Sequence, residues 1–102
     1  MKYTISLIDD EPLSLAASKG IIQDFFSDIH IMATFDNTLE AMKMLSQVPC
    51  DLLLVDIRMP GMNGLEFVNT LREFQNVEAI FLTGYDEFAI QALKTGAFDY
   101  LL

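Results

Sequence analysis

LLLVDIRMPGMNG, residues 52–64, is the stretch that decides the fold. It opens with a run of apolar residues, and alternate residues of a strand point to opposite faces of a sheet. A strand with this run must therefore be buried on both faces. Such burial is typical of a central parallel strand in an α/β domain. Asp56 follows the run directly and leads into a loop rich in proline and glycine. A carboxylate at that point lies at the edge where open α/β sheets bind ligands.

The composition predicts a single folded domain. The chain has 102 residues and is 52% hydrophobic, which is enough for one packed core. Its net charge of −9 repels phosphate backbones, so we expect no direct binding of nucleic acid by this domain. Cys50 is the single cysteine, and a chain without disulfides fits a reducing cytosol. No apolar run approaches the ~18 residues of a membrane span. We therefore expect a soluble, cytoplasmic domain with no membrane contact.

Strand and helix signals alternate along the chain. Apolar runs predict strands over residues 3–8, 29–35, 51–55, 79–82 and 98–102. The predicted helices begin at Pro12, at a cap formed by Asn37 or Thr38, at a cap formed by Asn63 and at a cap formed by Asp86. The first helix should carry Leu15, Ser18, Ile22, Phe25 and Phe26 at helical spacing. The third helix should run over residues 64–74, and the fourth should stop near residues 95–96. The pattern implies a doubly wound α/β fold with a five-stranded parallel sheet and right-handed crossovers.

Oxygen-bearing side chains follow several of these strands. Asp9 and Asp10 come after the first, Asp56 after the third and Thr83 after the fourth. In the common strand order 2-1-3-4-5, the first, third and fourth strands are neighbours, so the acids should crowd into one pocket. Like charges this close require a proton or a divalent cation. An all-oxygen pocket with room for water is what Mg²⁺ prefers, and Asp56 could then act as a nucleophile toward a phosphoryl group.

Four segments of the chain resemble a response-regulator receiver domain of bacterial two-component signalling. They are IDDE at 8–11, DIRMPGMNG at 56–64, TG at 83–84 and GAFDY at 96–100. They occur in the family's order and spacing, and the resemblance covers the whole chain, residues 1–102. It implies a flavodoxin-like fold and a signalling switch, not an enzyme, with at most self-directed phosphotransfer and autodephosphorylation.

The resemblance also implies roles for the acidic residues. Asp56 would be the phosphoacceptor, charged by a sensor histidine kinase in a phosphorelay that depends on Mg²⁺. The metal ligands would be Asp56, Asp10, Asp9 acting mainly through a bound water, and the backbone carbonyl of Arg58. Thr83 would be the switch hydroxyl, and Tyr100 the aromatic residue that turns inward when Thr83 moves toward the phosphoryl group.

The chain departs from the family at its C-terminal end. The family places a lysine and then a proline just after the fifth strand, whereas this sequence stops at Leu102. The fifth helix is also missing, so we expect a receiver that is incomplete at its C-terminus and has an apolar sheet face able to form a homodimer. The output domain, which we expect to bind DNA and regulate transcription, would lie outside this chain. Residues 85–90 and 99–102 are similar to receivers attached to LytTR-type DNA-binding domains.

Other functions remain open from the residues alone. A phosphatase of the haloacid dehalogenase type also uses a strand-end aspartate with Mg²⁺, but it requires a second Asp where this chain has Arg58. A flavodoxin-like cofactor binder would need a phosphate cradle after the first strand, where this chain has acids instead. A pseudo-receiver would act as an interaction module without phosphorylation. His30 and Cys50 are predicted to be a surface residue and a core residue, respectively, and the methionines core or near-core filling.

Overall fold

Strands and helices alternate along the chain, as the sequence predicts. The computed structural model describes residues 2–82 and the backbone of residues 99–101. The elements are β1 (Tyr3–Ile8), α1 (Pro12–Phe25), β2 (Ile29–Phe35), α2 (Thr38–Leu45), β3 (Leu52–Asp56), α3 (Gly64–Leu71), β4 (Glu78–Leu82) and β5 (Asp99–Leu101). The predicted helix capped by Asp86 lies outside the described residues. None of the helices within residues 2–82 has the length and apolar character needed to cross a bilayer.

The strands form one parallel sheet in the order β2-β1-β3-β4-β5. This is the predicted order 2-1-3-4-5, and it makes β3 the central strand. The register pairs Ile8 of β1 with Val55 of β3, and Asp56 of β3 with Leu82 of β4. Because all these strands run in the same direction, the residues that follow β1 meet the end of β3 at one edge of the sheet.

Strand β3 is buried on both faces, which confirms the prediction from its apolar run. Leu53 and Val55 are fully buried in a core cluster that includes Phe67 of α3 and Leu45 of α2. Leu54 belongs to a second cluster, which includes residues of α1. Within residues 2–82, α1 therefore covers one face of the sheet, and α2 and α3 cover the other. This is the doubly wound arrangement.

Side-chain caps fix where the helices begin. The Glu11 carboxylate accepts a hydrogen bond from a backbone N–H in the first turn of α1, and Pro12 occupies the first helical position. Asn37 accepts a hydrogen bond from the Glu40 N–H at 2.8 Å. Of the two predicted caps for α2, Asn37 is therefore the cap, and Thr38 is the first residue of the helix.

The end of α1 differs from its sequence pattern. Ile22 is buried, but Phe25 is 76% exposed and Phe26 is also exposed. The chain leaves the helix at Phe26 and starts β2 at Ile29, so no element within residues 2–82 covers the last turn. The helical spacing that Phe25 and Phe26 share with Ile22 therefore does not place them in the core.

Several predicted boundaries differ from the structure by one to three residues. Strand β3 ends at Asp56, not at residue 55, and β4 begins at Glu78, not at residue 79. Strand β3 begins at Leu52, not Asp51, and the Asp51 carboxylate accepts hydrogen bonds from the N–H and the hydroxyl of Thr4, at 2.8 and 3.2 Å. Helix α3 ends at Leu71, not Phe74, and residues 72–74 form a turn. Phe74 is exposed, so burial does not extend the helix to it.

Three predictions concern isolated side chains. His30 is exposed and Cys50 is buried, as expected. The methionines follow the prediction only in part, because Met59 is buried whereas Met44 and Met62 are exposed. The exposed ones lie on the outer side of α2 and in the loop after β3.

A pair of helical phenylalanines tests this division between core and surface. Phe67→Ala removes a side chain that is 0% exposed and should lower the free energy of unfolding by about 3–5 kcal/mol. Phe25→Ala should lower it by less than about 0.5 kcal/mol, as for other exposed positions. Urea unfolding followed by circular dichroism measures both. Equal losses for the two variants would contradict the assignment of the core.

Candidate functional site

Three carboxylates meet where β1 and β3 end. Asp9 and Asp10 directly follow β1, and Asp56 is the last residue of β3. Asp9, Asp10 and Asp56 each offer an oxygen atom, and these oxygens all lie within 4.8 Å of one another. The strand order explains this arrangement, because β1 and β3 are hydrogen-bonded neighbours. The crowding predicted from the sequence is therefore present.

The three acids differ in burial and in what holds them. Asp9 is only 3% exposed. Its backbone N–H donates to the Phe35 carbonyl at 3.0 Å, and its Oδ1 accepts from the Glu11 N–H at 2.9 Å. Asp56 is partly buried and Asp10 is exposed. The cluster thus has a fixed inner wall and an outer carboxylate open to solvent.

This environment changes the acidity of Asp56. Burial, together with the nearby charges of Asp9 and Asp10, raises the pKa of the Asp56 carboxyl to about 6 from its ordinary value of 3.8. A hydrogen bond of 3.1 Å from the Arg58 N–H to Oδ1 of Asp56 opposes the shift. The pocket therefore favours a proton or a cation beside Asp56.

The loop from Ile57 to Asn63 is tied to its surroundings at several points. The carbonyl of Ile57 accepts hydrogen bonds from the N–H groups of Met59 and Gly64, at 3.2 and 2.9 Å. The Ile57 side chain is fully buried, and its N–H donates to the Leu82 carbonyl at 3.2 Å. Gly61 has a φ of 76°, which glycine adopts without strain. These contacts hold the backbone that follows Asp56.

Helix α3 begins directly after this loop with a capping box. The Asn63 side chain accepts from the Glu66 N–H at 2.9 Å, and the Glu66 carboxylate accepts from the Asn63 N–H at 3.3 Å. The predicted Asn63 cap is thus confirmed. A Glu three residues after the cap is also a sequence signal for the second hydrogen bond of the capping box, from the Asn63 N–H to the Glu66 carboxylate.

One contact in the site could not be predicted from the sequence. Thr38 is 6% exposed, and its hydroxyl donates to the Met62 carbonyl at 3.3 Å. It therefore connects α2 to the loop after β3. The two residues are 24 positions apart, and no local pattern indicates such a pairing.

The remaining predicted site residues are placed as follows. Arg58 is exposed and lies in the loop that follows Asp56. Thr83 lies outside the described residues. The backbone of Tyr100 lies in β5, where it pairs with Phe81 of β4, and its side chain is outside the described part of the chain. Of the predicted set, the structure therefore brings together the three aspartates.

The aspartate cluster suits a divalent cation. Mg²⁺ binds oxygen ligands at 2.0–2.1 Å, so its ligands lie within about 4.2 Å of one another. The separations among the three carboxylates approach this range. The raised pKa of Asp56 is a second indication, because a cation would relieve the same repulsion that now favours a proton.

Comparison with known proteins identifies the family. Residues 5–102 match the response regulator receiver domain. The chain belongs to this family. A response regulatory protein of Vibrio cholerae is 37% identical over 101 residues, which is 98% of this chain. The transcriptional regulatory protein BtsR of Escherichia coli is 38% identical over 98 residues, or 96% of this chain.

Solved structures agree with the fold. The response regulatory domain of mrkE from Klebsiella pneumoniae has a TM-score of 0.89 at 27% identity, and the match covers 97% of this chain and 81% of that one. The receiver domain spans only 39% and 41% of the two curated relatives named above. Receiver domains are in general signalling domains without enzymatic turnover, and the family match favours such a domain over the haloacid dehalogenase and flavodoxin-like alternatives.

The acidity of Asp56 yields a prediction for metal-free protein. Its pKa in the folded state, about 6, lies above the ordinary 3.8. The stability that the protonated carboxyl contributes is thus complete below pH 3.8 and is lost as pH rises through 6. Asp56→Asn should therefore raise the free energy of unfolding at pH 7.5 by about 1 kcal/mol, a value reduced for solvent screening of a partly exposed group. Little gain should remain at pH 3.5.

Urea unfolding in the presence of a chelator, at both pH values, measures this effect. Asp24→Asn is the matched control, because Asp24 is an exposed acid in α1, outside the cluster. A gain from Asp56→Asn that is the same at both pH values, or that Asp24→Asn reproduces, would contradict the assignment to crowded carboxylates.

Proposed function

We propose that this receiver domain is a phosphorylation switch that accepts a phosphoryl group on Asp56 from a sensor histidine kinase. The observation that carries the proposal is the position of Asp56. It ends the central buried strand and shares a pocket with Asp9 and Asp10. The buried strand fixes the position of Asp56. The partial exposure of Asp56 leaves its carboxylate accessible to a phosphoryl donor.

The transfer is a single displacement at phosphorus. A carboxylate oxygen of Asp56 attacks the phosphorus of a phosphohistidine, and an O–P bond forms as the P–N bond breaks. The histidine nitrogen leaves with the electron pair of that bond, and Asp56 becomes an acyl phosphate. The attacking form is the carboxylate, which predominates above the pKa of about 6.

We propose that Asp9, Asp10, Asp56 and the backbone carbonyl of Arg58 hold Mg²⁺, with Asp9 acting mainly through a bound water. The ion would offset the charge of the carboxylates and of the incoming phosphoryl oxygens. Asp10, as the exposed member, would be the direct ligand nearest to solvent. Asp9, held by two hydrogen bonds, would form the inner side of the metal site.

The readout of phosphorylation would involve Thr83 and Tyr100. We propose that the Thr83 hydroxyl contacts the phosphoryl group and that Tyr100 responds to its movement. The backbone places Tyr100 on β5, which is paired with β4 at the edge of the sheet. Both roles rest on the resemblance of their sequence segments to the family.

We further propose that the switch controls an attached output domain that regulates transcription. The relative BtsR is named a transcriptional regulatory protein, and this chain matches 41% of its length. The net charge of −9 on this domain disfavours contact with nucleic acid. Binding of DNA would therefore belong to the output domain, and the receiver would act on it through protein contacts.

Phosphorylation by a small donor tests the acceptor. With Mg²⁺ and acetyl phosphate, the protein should gain the mass of one phosphoryl group, and Asp56→Asn should abolish the gain. Asp51→Asn is the control, because Asp51 precedes the same strand at its opposite end. Intact-mass spectrometry provides the measurement. A mass gain retained in Asp56→Asn would refute Asp56 as the acceptor, and no gain in the wild-type protein would favour the pseudo-receiver.

Titration calorimetry tests the metal ligands independently of phosphorylation. Asp10→Ala should weaken Mg²⁺ binding by at least about tenfold, because it removes one carboxylate of the cluster. Asp24→Ala, which removes an acid of α1, should leave the affinity unchanged. If Asp10→Ala binds Mg²⁺ as tightly as the wild-type protein, Asp10 is not a ligand.

A further inference from the structure

Gly64 lies where α3 meets the strand that carries Asp56. It is the first residue of α3, is buried, and its N–H donates to the Ile57 carbonyl at 2.9 Å. A Cβ atom at this position would overlap the backbone carbonyl oxygen of Asp56. It would also lie 3.0 Å from the carbonyl carbon of Asp56 and 2.8 Å from Cγ1 of Val55. Only a residue without a side chain fits between the helix and this peptide.

The strand can make room only by disturbing contacts on both of its sides. Strand β3 is paired on both sides, with β1 and with β4. Val55 is fully buried, and the Ile57 N–H donates to the Leu82 carbonyl at 3.2 Å. A shift of the Asp56 peptide would disturb these contacts, and those of Val55 and Ile57 directly flank the residue that carries the acceptor carboxylate.

The helix is held just as firmly from the other side. Phe67, Val68 and Leu71 of α3 are all fully buried in the core cluster beneath the sheet. An added methyl group at residue 64 must therefore displace the junction itself. That junction consists of the Asp56 peptide and the loop that carries the Arg58 N–H and carbonyl.

We propose that Gly64 is a positioning residue for phosphoryl transfer. Its lack of a side chain lets α3 seat directly against the Asp56 peptide, and this contact sets where the acceptor carboxylate lies relative to Asp9 and Asp10. The inference rests on the proposed function of Asp56. It adds that the helix contact, as well as the carboxylates themselves, determines the geometry of transfer.

The sensitivity of the reaction to position gives the expected effect. A misplacement of about 1 Å in a reacting group can lower a rate by on the order of 10²-fold. Gly64→Ala should therefore lower the maximal rate of phosphorylation by about that factor. It should also weaken Mg²⁺ binding several-fold, because the Asp56 carboxylate and the Arg58 carbonyl move together.

Two further variants separate positioning from stability. Gly20→Ala makes the same chemical change within α1, where a Cβ would meet nothing within 4 Å. Leu71→Ala removes a fully buried side chain at the far end of α3 and destabilises the domain without touching the junction. The rate with saturating acetyl phosphate and Mg²⁺ is measured by intact mass, the Mg²⁺ affinity by calorimetry, and the folded fraction by circular dichroism.

We expect Gly64→Ala to stay folded yet lose phosphorylation rate and Mg²⁺ affinity, while Gly20→Ala matches the wild-type protein. Leu71→Ala should keep the wild-type rate per folded molecule. A Gly64→Ala rate within about twofold of wild type would overturn the proposal. An equal loss of rate in Leu71→Ala, compared at the same folded fraction, would also overturn the proposal. The loss in Gly64→Ala would then be an effect of lower stability.

Two other outcomes are also decisive. If the wild-type protein is not phosphorylated, the proposed function fails, and the Mg²⁺ affinities alone then support or overturn the role of Gly64. If Gly64→Ala does not fold, it is combined with Gly20→Ala, which favours the helical state of α1. Failure of the double variant to fold would overturn the proposal, because Gly64 would then be required for folding and not for positioning.

Discussion

Repulsion among the carboxylates of Asp9, Asp10 and Asp56 is the interaction on which the site depends. Their oxygens lie within 4.8 Å of one another, and the pocket also removes part of the water around Asp56. Loss of water and repulsion by Asp9 and Asp10 each disfavour a negative charge on Asp56. The pKa of Asp56 therefore rises to about 6. A site built in this way is unfavourable by itself and becomes favourable when a cation enters. The arrangement therefore suits a divalent cation.

The rest of the fold supplies what is needed to keep these charges together. Strand β3 is buried on both faces and paired on both sides. This packing holds Asp56 close to Asp9 and Asp10. The Ile57 carbonyl accepts hydrogen bonds from two N–H groups. The Thr38 hydroxyl donates to the Met62 carbonyl and so connects the same loop to α2. The apolar core therefore does more than stabilise the domain. It holds the acids against their mutual repulsion.

Much of this arrangement could be predicted from the sequence, because it follows from local patterns. The run at residues 52–55 indicated a central strand, and the acids after β1 and β3 indicated a shared edge once the strand order was assumed. The exposure of Phe25, the end of α3 at Leu71 and the bond from Thr38 to Met62 could not be predicted. Each depends on which distant element lies nearby, and helical spacing or propensity carries no such information. The close contact at Gly64 belongs to the same class.

Crowding with Asp9 and Asp10 raises the pKa of Asp56 and favours a cation beside its carboxylate. A pH titration of the Asp56 carboxyl carbon by NMR, in metal-free buffer and again with saturating Mg²⁺, tests it most directly. We expect a metal-free pKa for Asp56 of about 6 and a clear fall when Mg²⁺ is added, because the ion favours the charged form. A titration midpoint that is the same with and without Mg²⁺ would contradict it.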